Sequence, residues 1–106
     1  MNVTAEHFPK EIDEFELAGL VRAPCETIAC SRVAAAPANL ECRVVDHIDL
    51  PGEANTVVFG EVTGVHLRDD CVVDGKFDVT SYQPLARMGY RDYARIAEVF
   101  HLARPD

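Results

Sequence analysis

Apolar and polar positions alternate most clearly in the middle of the chain. In "NLECRVVDHIDL", Leu40, Cys42 and Val44 fall on one side and Glu41 and Arg43 on the other, the period-2 pattern of a strand with one covered face. The apolar side is expected to be the covered one. After Val45 the phase changes, and Ile48 and Leu50 carry the apolar positions. Pro51 to Ala54 has the length of a hairpin turn. The returning segment "NTVVFGEVTGVHLRDD" supplies Val57, Val58, Phe59, Val62, Val65 and Leu67, residue types that suit a pleated surface. Gly60 and Gly64 sit inside it, and a glycine within a strand marks a bend, a bulge or a close approach by a neighbour. The pair of strands is therefore expected to curve, as in part of a closed barrel.

The flanks are less regular. "IDEFELAGL" predicts a short helix, with Asp13 as N-cap, Glu14 and Glu16 in the first turn, Phe15, Leu17 and Leu20 for burial, and Gly19 ending it. "RVAAAPANL" reads as a connector cut by Pro37. Asp74-Gly75 predicts a tight turn, and Thr80 or Ser81 a cap for one helical turn before Gly89. For the segment holding Tyr93, Val99, Phe100 and Leu102, periodicity leaves both a final strand and a short helix open.

Composition adds bounds. At 106 residues the chain has room for one domain with an ordinary core, and 48% hydrophobic with 26% charged residues predicts folding rather than disorder. A net charge of -8 with no Lys/Arg cluster argues against nucleic acid and anionic membranes as partners. No stretch approaches the roughly 18 apolar residues of a span, and no secretory leader is evident, so the expected location is cytoplasmic. The spacing of Cys25, Cys30, Cys42 and Cys71 matches neither a structural zinc site nor a dense disulfide framework. Four reduced thiols are expected.

Four stretches in order, "FPKEIDEFELAGL", "ANLECRVV", "VVFGEVTGVHLRDD" and "PLARMGYRDYARIAEVFHLARP", resemble the flavin reductase-like domain family, which includes the flavoredoxins. Their order and spacing make the likeness specific over nearly the whole chain. The resemblance implies a mainly β fold, an FMN-binding split β-barrel with short helices. It also implies that the chain, residues 1–106, is the C-terminal portion of such a domain, lacking the N-terminal strands and their flavin-holding loops. Met1-Asn2-Val3-Thr4 resembles an internal family segment. Homodimers with FMN near the interface are the family's pattern, so a homodimer is expected.

By the same resemblance "ARMGYRDY" corresponds to an Arg-x-Gly-x-x-x-Tyr segment of the family, making Arg87, Gly89 and Tyr93 candidate cofactor-binding residues. Arg87 offers a permanently charged donor to a phosphate or ring carbonyl, Gly89 a positive φ or a close backbone approach, and Tyr90 or Tyr93 a cover for a flat ring. His66 is the fourth candidate, an imidazole able to donate to flavin or nicotinamide and to exchange protons near neutrality. Set beside these are the simpler roles: Gly89 ending a turn, the tyrosines in a core or interface, and His66 at the surface or behind the site. Glu61 reads as structural, and neither a metal site nor acid-base catalytic residues are identified.

Two functions remain. One is NAD(P)H-dependent flavin oxidoreduction, with FMN as cofactor and NAD(P)H as electron donor, the protein positioning and shielding the ring. The other is a non-catalytic, truncated split-barrel fragment acting as a dimerisation or binding module.

Overall fold

The computed structural model describes residues 6–52 and 54–105; the segment Met1–Thr4 and the third position of the Pro51–Ala54 turn lie outside them. The fold is mainly β, as the alternation predicts, and contains eight strands in four two-stranded pairs among the described residues. The chain divides into two compact units, residues 1–66 and 67–106.

In the first unit, a single helical turn α1 (Glu14–Leu17) precedes β1 (Arg22–Pro24), β2 (Ser31–Val33), β3 (Ala38–Asp49) and β4 (Thr56–Leu67), the last ending at the boundary with the second unit. Asp13 caps α1 by accepting the Phe15 amide at 3.0 Å. At the other end Leu20 N–H donates to Phe15 O and Gly19 N–H to Glu16 O, with Gly19 at φ +67°. This closure needs a left-handed residue just past the helix, a position that glycine fills without a Cβ penalty. The Asp13 carboxylate also takes both its oxygens to Arg22 at 2.7 Å, and the Arg22 guanidinium lies 4.0 Å from the centroid of the Phe15 ring. The cap and the ion pair thereby tie α1 to β1. Leu17 and Leu20, expected inside, are exposed, because α1 is one turn long and buries none of its side chains.

β1 and β2 form an antiparallel hairpin in which Arg22 opposes Val33 and Pro24 opposes Ser31. Neither strand stands out in the sequence, because three residues are too few to display a period. β3 and β4 pair as the long hairpin, closed where the Leu50 amide donates to Asn55 O at 2.8 Å. The one buried position of β3 lies on the side opposite to the one alternation indicates. Leu40 is 60% and Val44 64% exposed, whereas Glu41 is 1% exposed. The reason is the loop joining β1 and β2, which lies over the Glu41 side and offers its amides to that carboxylate; among the described residues of the unit the valine side stays exposed.

The second unit holds β5 (Val72–Val73), β6 (Lys76–Phe77), β7 (Leu85–Arg87) and β8 (Tyr93–Arg95), with 3-10 turns at Asp69–Cys71 and Val79–Ser81. Asp74 at φ +50° and Gly75 at φ +75° make the β5–β6 turn, the pair of left-handed residues that a two-residue hairpin loop of this hand requires. The cap of the second 3-10 turn is Asp78, not Thr80 or Ser81: its carboxylate accepts from the Thr80 amide at 2.9 Å and the Thr80 hydroxyl at 2.7 Å. The side chain with two acceptor oxygens takes the cap, and the hydroxyl becomes its donor. The tail resolves into the short strand β8 followed by residues 96–105 without regular structure.

Candidate functional site

The most highly ordered polar arrangement is built around Glu41. Its Oε1 accepts the Thr27 amide at 2.6 Å, the Thr27 hydroxyl at 2.7 Å and the Glu26 amide at 3.1 Å. Its Oε2 accepts the Glu26 amide at 3.0 Å and the Nε2 hydrogen of His66. The Thr63 hydroxyl, 2.6 Å from that of Thr27, extends the chain of donors, since the Thr27 proton is already committed to Glu41. Three segments thus meet on one carboxylate: the β1–β2 loop, β3 and the end of β4. Gly64 makes the space. A Cβ placed there would lie 3.2 Å from Glu41 Cδ.

A carboxylate taken out of water is costly unless its lone pairs are filled, and here they are filled by amide, hydroxyl and imidazole hydrogens. The His66 hydrogen bond, followed by those from Glu26 and Thr27, holds the Glu41 carboxyl far below the ordinary carboxylate range, and these outweigh the opposing effect of burial. Glu41 is therefore a fixed anion. It orients the imidazole through Nε2 and leaves Nδ1 for another partner. His66 remains partly accessible.

In the second unit Arg87 and Tyr93 are direct cross-strand partners in the β7–β8 pair. The connecting turn closes through Met88 N–H to Asp92 O at 3.0 Å and Asp92 N–H to Gly89 O at 2.8 Å, and Arg87 Nη2 donates to Tyr90 O at 3.3 Å. Arg87, Gly89 and Tyr93 are therefore brought together as the sequence suggests, on one hairpin. The left-handed position is not Gly89. It is Tyr90, at φ +50°, while Gly89 is absent from the positive-φ residues and has open space where a Cβ would stand. Tyr90 is 95% exposed and Tyr93 41%. An open groove of about 380 Å³ on the same unit is lined by Ser81, Tyr82, Gln83 and Arg95, and none of the three candidates lines it.

Sequence reasoning missed Glu41, because strand alternation places it on the solvent side. The available signal was Thr63-Gly64, a small hydroxyl and a residue without a side chain opposite a lone acidic position. No group of three or more His, Cys, Asp or Glu residues among the described residues is arranged to hold a metal, and no described helix is long and apolar enough to cross a membrane.

Comparison with known proteins gives this geometry its context. The model of the flavin reductase like domain matches residues 1–86. An uncharacterized protein of Deinococcus radiodurans is 36% identical over 108 aligned positions, covering 98% of this chain and 47% of that protein. The crystal structure of 2-nitrobenzoate 2-nitroreductase from Pseudomonas fluorescens superposes with a TM-score of 0.83 at 28% identity, covering 99% of this chain and 52% of that one. A Shewanella frigidimarina protein, described as a flavin reductase with a split barrel domain, gives 0.79 at 24% identity, covering 96% and 52%. The chain spans about half the length of the curated relatives it matches. On the extent of the family match and the agreement of the folds, the chain belongs to the flavin reductase like domain family, with that family's split-barrel architecture.

Proposed function

We propose that this chain is the C-terminal portion of an FMN-binding flavin reductase-like domain working in NAD(P)H-dependent flavin oxidoreduction. The observation that carries the reading is the family match over residues 1–86. The residues of the second unit fit a ligand that combines an anionic or carbonyl oxygen with a flat ring. Arg87 spends one donor on Tyr90 O and is otherwise exposed, and Tyr93 stands opposite it across the strand pair. A guanidinium has five donors in a planar fork, so Nη1, Nε and the second Nη2 hydrogen serve such an oxygen.

Bound flavin would supply hydride acceptance and delivery, chemistry that no side chain here performs. Arg87 binds, Tyr93 or Tyr90 covers the ring, and Gly89 keeps the turn beside Arg87 small. In the first unit, His66 holds a proton in place at Nε2 against Glu41 and leaves Nδ1 for a ligand. A homodimer is part of the reading, since the β3–β4 pair leaves Leu40, Val44, Val58 and Val65 exposed, apolar side chains of the kind that partners cover.

The test is the purified chain passed through gel filtration after loading with FMN. A yellow protein peak that oxidises NADH or NADPH is expected; a colourless peak with no FMN affinity at high micromolar concentration contradicts the reading. A second reading, a non-catalytic dimerisation or binding module, is favoured by the half-length coverage of the relatives. It predicts a stable dimer that neither holds flavin nor consumes NAD(P)H.

A further inference from the structure

Two cysteines frame the loop that binds Glu41. In the β1–β2 hairpin Pro24 is the Cα partner of Ser31, and the next residues inward are Cys25 and Cys30. Continued one step past the last ladder pair, that register would set them opposite each other at the mouth of the loop. Directly opposed residues of an antiparallel pair have Cα atoms roughly 4.5–5.5 Å apart, inside the roughly 4.4–6.8 Å window of a disulfide. Both are free thiols, Cys25 half-buried and Cys30 exposed. Burial, then the Glu41 charge, push the Cys25 thiol up; Arg32 opposes this, and the Cys30 thiol adds to it. The two sulfurs therefore lie within electrostatic reach of each other.

The segment between them is functional in the fold. Glu26 and Thr27, immediately after Cys25, provide the amides and the hydroxyl that fill the Glu41 carboxylate, which in turn orients His66. Closing the loop at its base removes conformational freedom from the residues that make these bonds.

We propose that Cys25 and Cys30 are a reversible redox pair, forming a disulfide by exchange with a low-molecular-weight disulfide and locking the Glu26–Thr27 loop onto Glu41. The exposed Cys30 thiolate attacks one sulfur of the small disulfide and expels one small thiolate. Cys25, having given its proton to solvent, then attacks the Cys30 sulfur of the mixed disulfide, forming the internal S–S bond and expelling the second small thiolate. Two protein thiols are oxidised and one external disulfide is reduced to two thiols. The second step needs the Cys25 thiolate, which burial and the Glu41 charge disfavour, so it quickens with rising pH.

The experiment incubates the full chain with oxidised glutathione, quenches by alkylation in denaturant and maps peptides by mass spectrometry. The expected product is a Cys25–Cys30 linked peptide, with Cys42 and Cys71 alkylated, and dithiothreitol reverses it. A Cys25→Ser variant is expected to stop at a stable glutathione adduct on Cys30. On the oxidised chain, amide hydrogen exchange at Glu26 and Thr27 is expected to slow relative to the reduced chain. Two separate glutathione adducts on the wild-type chain, a linkage to Cys42 or Cys71, or unchanged exchange at the two amides each overturn the proposal. These readouts need no bound flavin.

Discussion

Gly64 and Glu41 occupy one space: a Cβ at Gly64 would meet Glu41 Cβ at 3.4 Å and Cδ at 3.2 Å. The carboxylate has little freedom to yield, because the Glu26 and Thr27 amides, the Thr27 hydroxyl and His66 hold it. Gly64→Ala is therefore expected to destabilise the chain by about 1–3 kcal/mol, the range for overfilling a packed position. Urea unfolding monitored by circular dichroism checks this. An unchanged or higher midpoint shows that the Glu41 anchor gives way freely.

Charge on Glu41 should appear in the pH dependence of stability. Its folded pKa lies below the ordinary value of 4.5, so the unfolded chain binds the proton more readily. The contribution is complete above about pH 5 and is lost as pH falls below 4.5 toward the folded pKa. Glu41→Gln is expected to lower the melting temperature at neutral pH and to flatten its fall in the acid range. Glu61→Gln, at an exposed position of β4, should leave both unchanged and serves as the control for the general effect of removing one carboxylate.

How much of this was legible follows from what each residue faces. The long strands, the Asp74-Gly75 turn and the Asp13 cap are local matters of period, φ and hydrogen-bond chemistry, and the sequence displays them. The buried position of β3 is not local. Alternation identifies two faces but cannot say which is covered when a loop distant in sequence brings amides to the polar one. A single buried acid among Leu40, Cys42 and Val44 therefore reads as a solvent position. At the candidate hairpin, Arg87 and Tyr93 were readable as neighbours, but the left-handed residue fell on Tyr90 although glycine stands one position earlier.

That displacement separates two glycines in a direct test. Gly75, at φ +75°, should lose about 1 kcal/mol on substitution by alanine, because a Cβ disfavours the left-handed region. Gly89, without positive φ and with open space around it, should tolerate alanine within about 0.5 kcal/mol, as ordinary surface positions do. Thermal denaturation of the two variants decides. An equal loss at both positions would show that Gly89 carries conformational strain after all.

Thiol accessibility gives a further check on the second unit. Cys71 is fully buried, while Cys30 and Cys42 are exposed, and Arg68 Nη2 donates to the Cys71 sulfur at 3.5 Å. Alkylation of the native chain should label Cys30 and Cys42 rapidly and Cys71 only when denaturant is added. Rapid native labelling of Cys71 would contradict the packing of the Asp69–Cys71 turn.

Equilibrium dialysis of FMN against the full chain, beside an Arg87→Ala variant, tests the central claim most directly. The account predicts saturable binding in the micromolar range by the wild-type chain, weakened roughly ten-fold or more by loss of the charged donor. Absence of binding by the wild-type chain, or identical affinity in the variant, would contradict it.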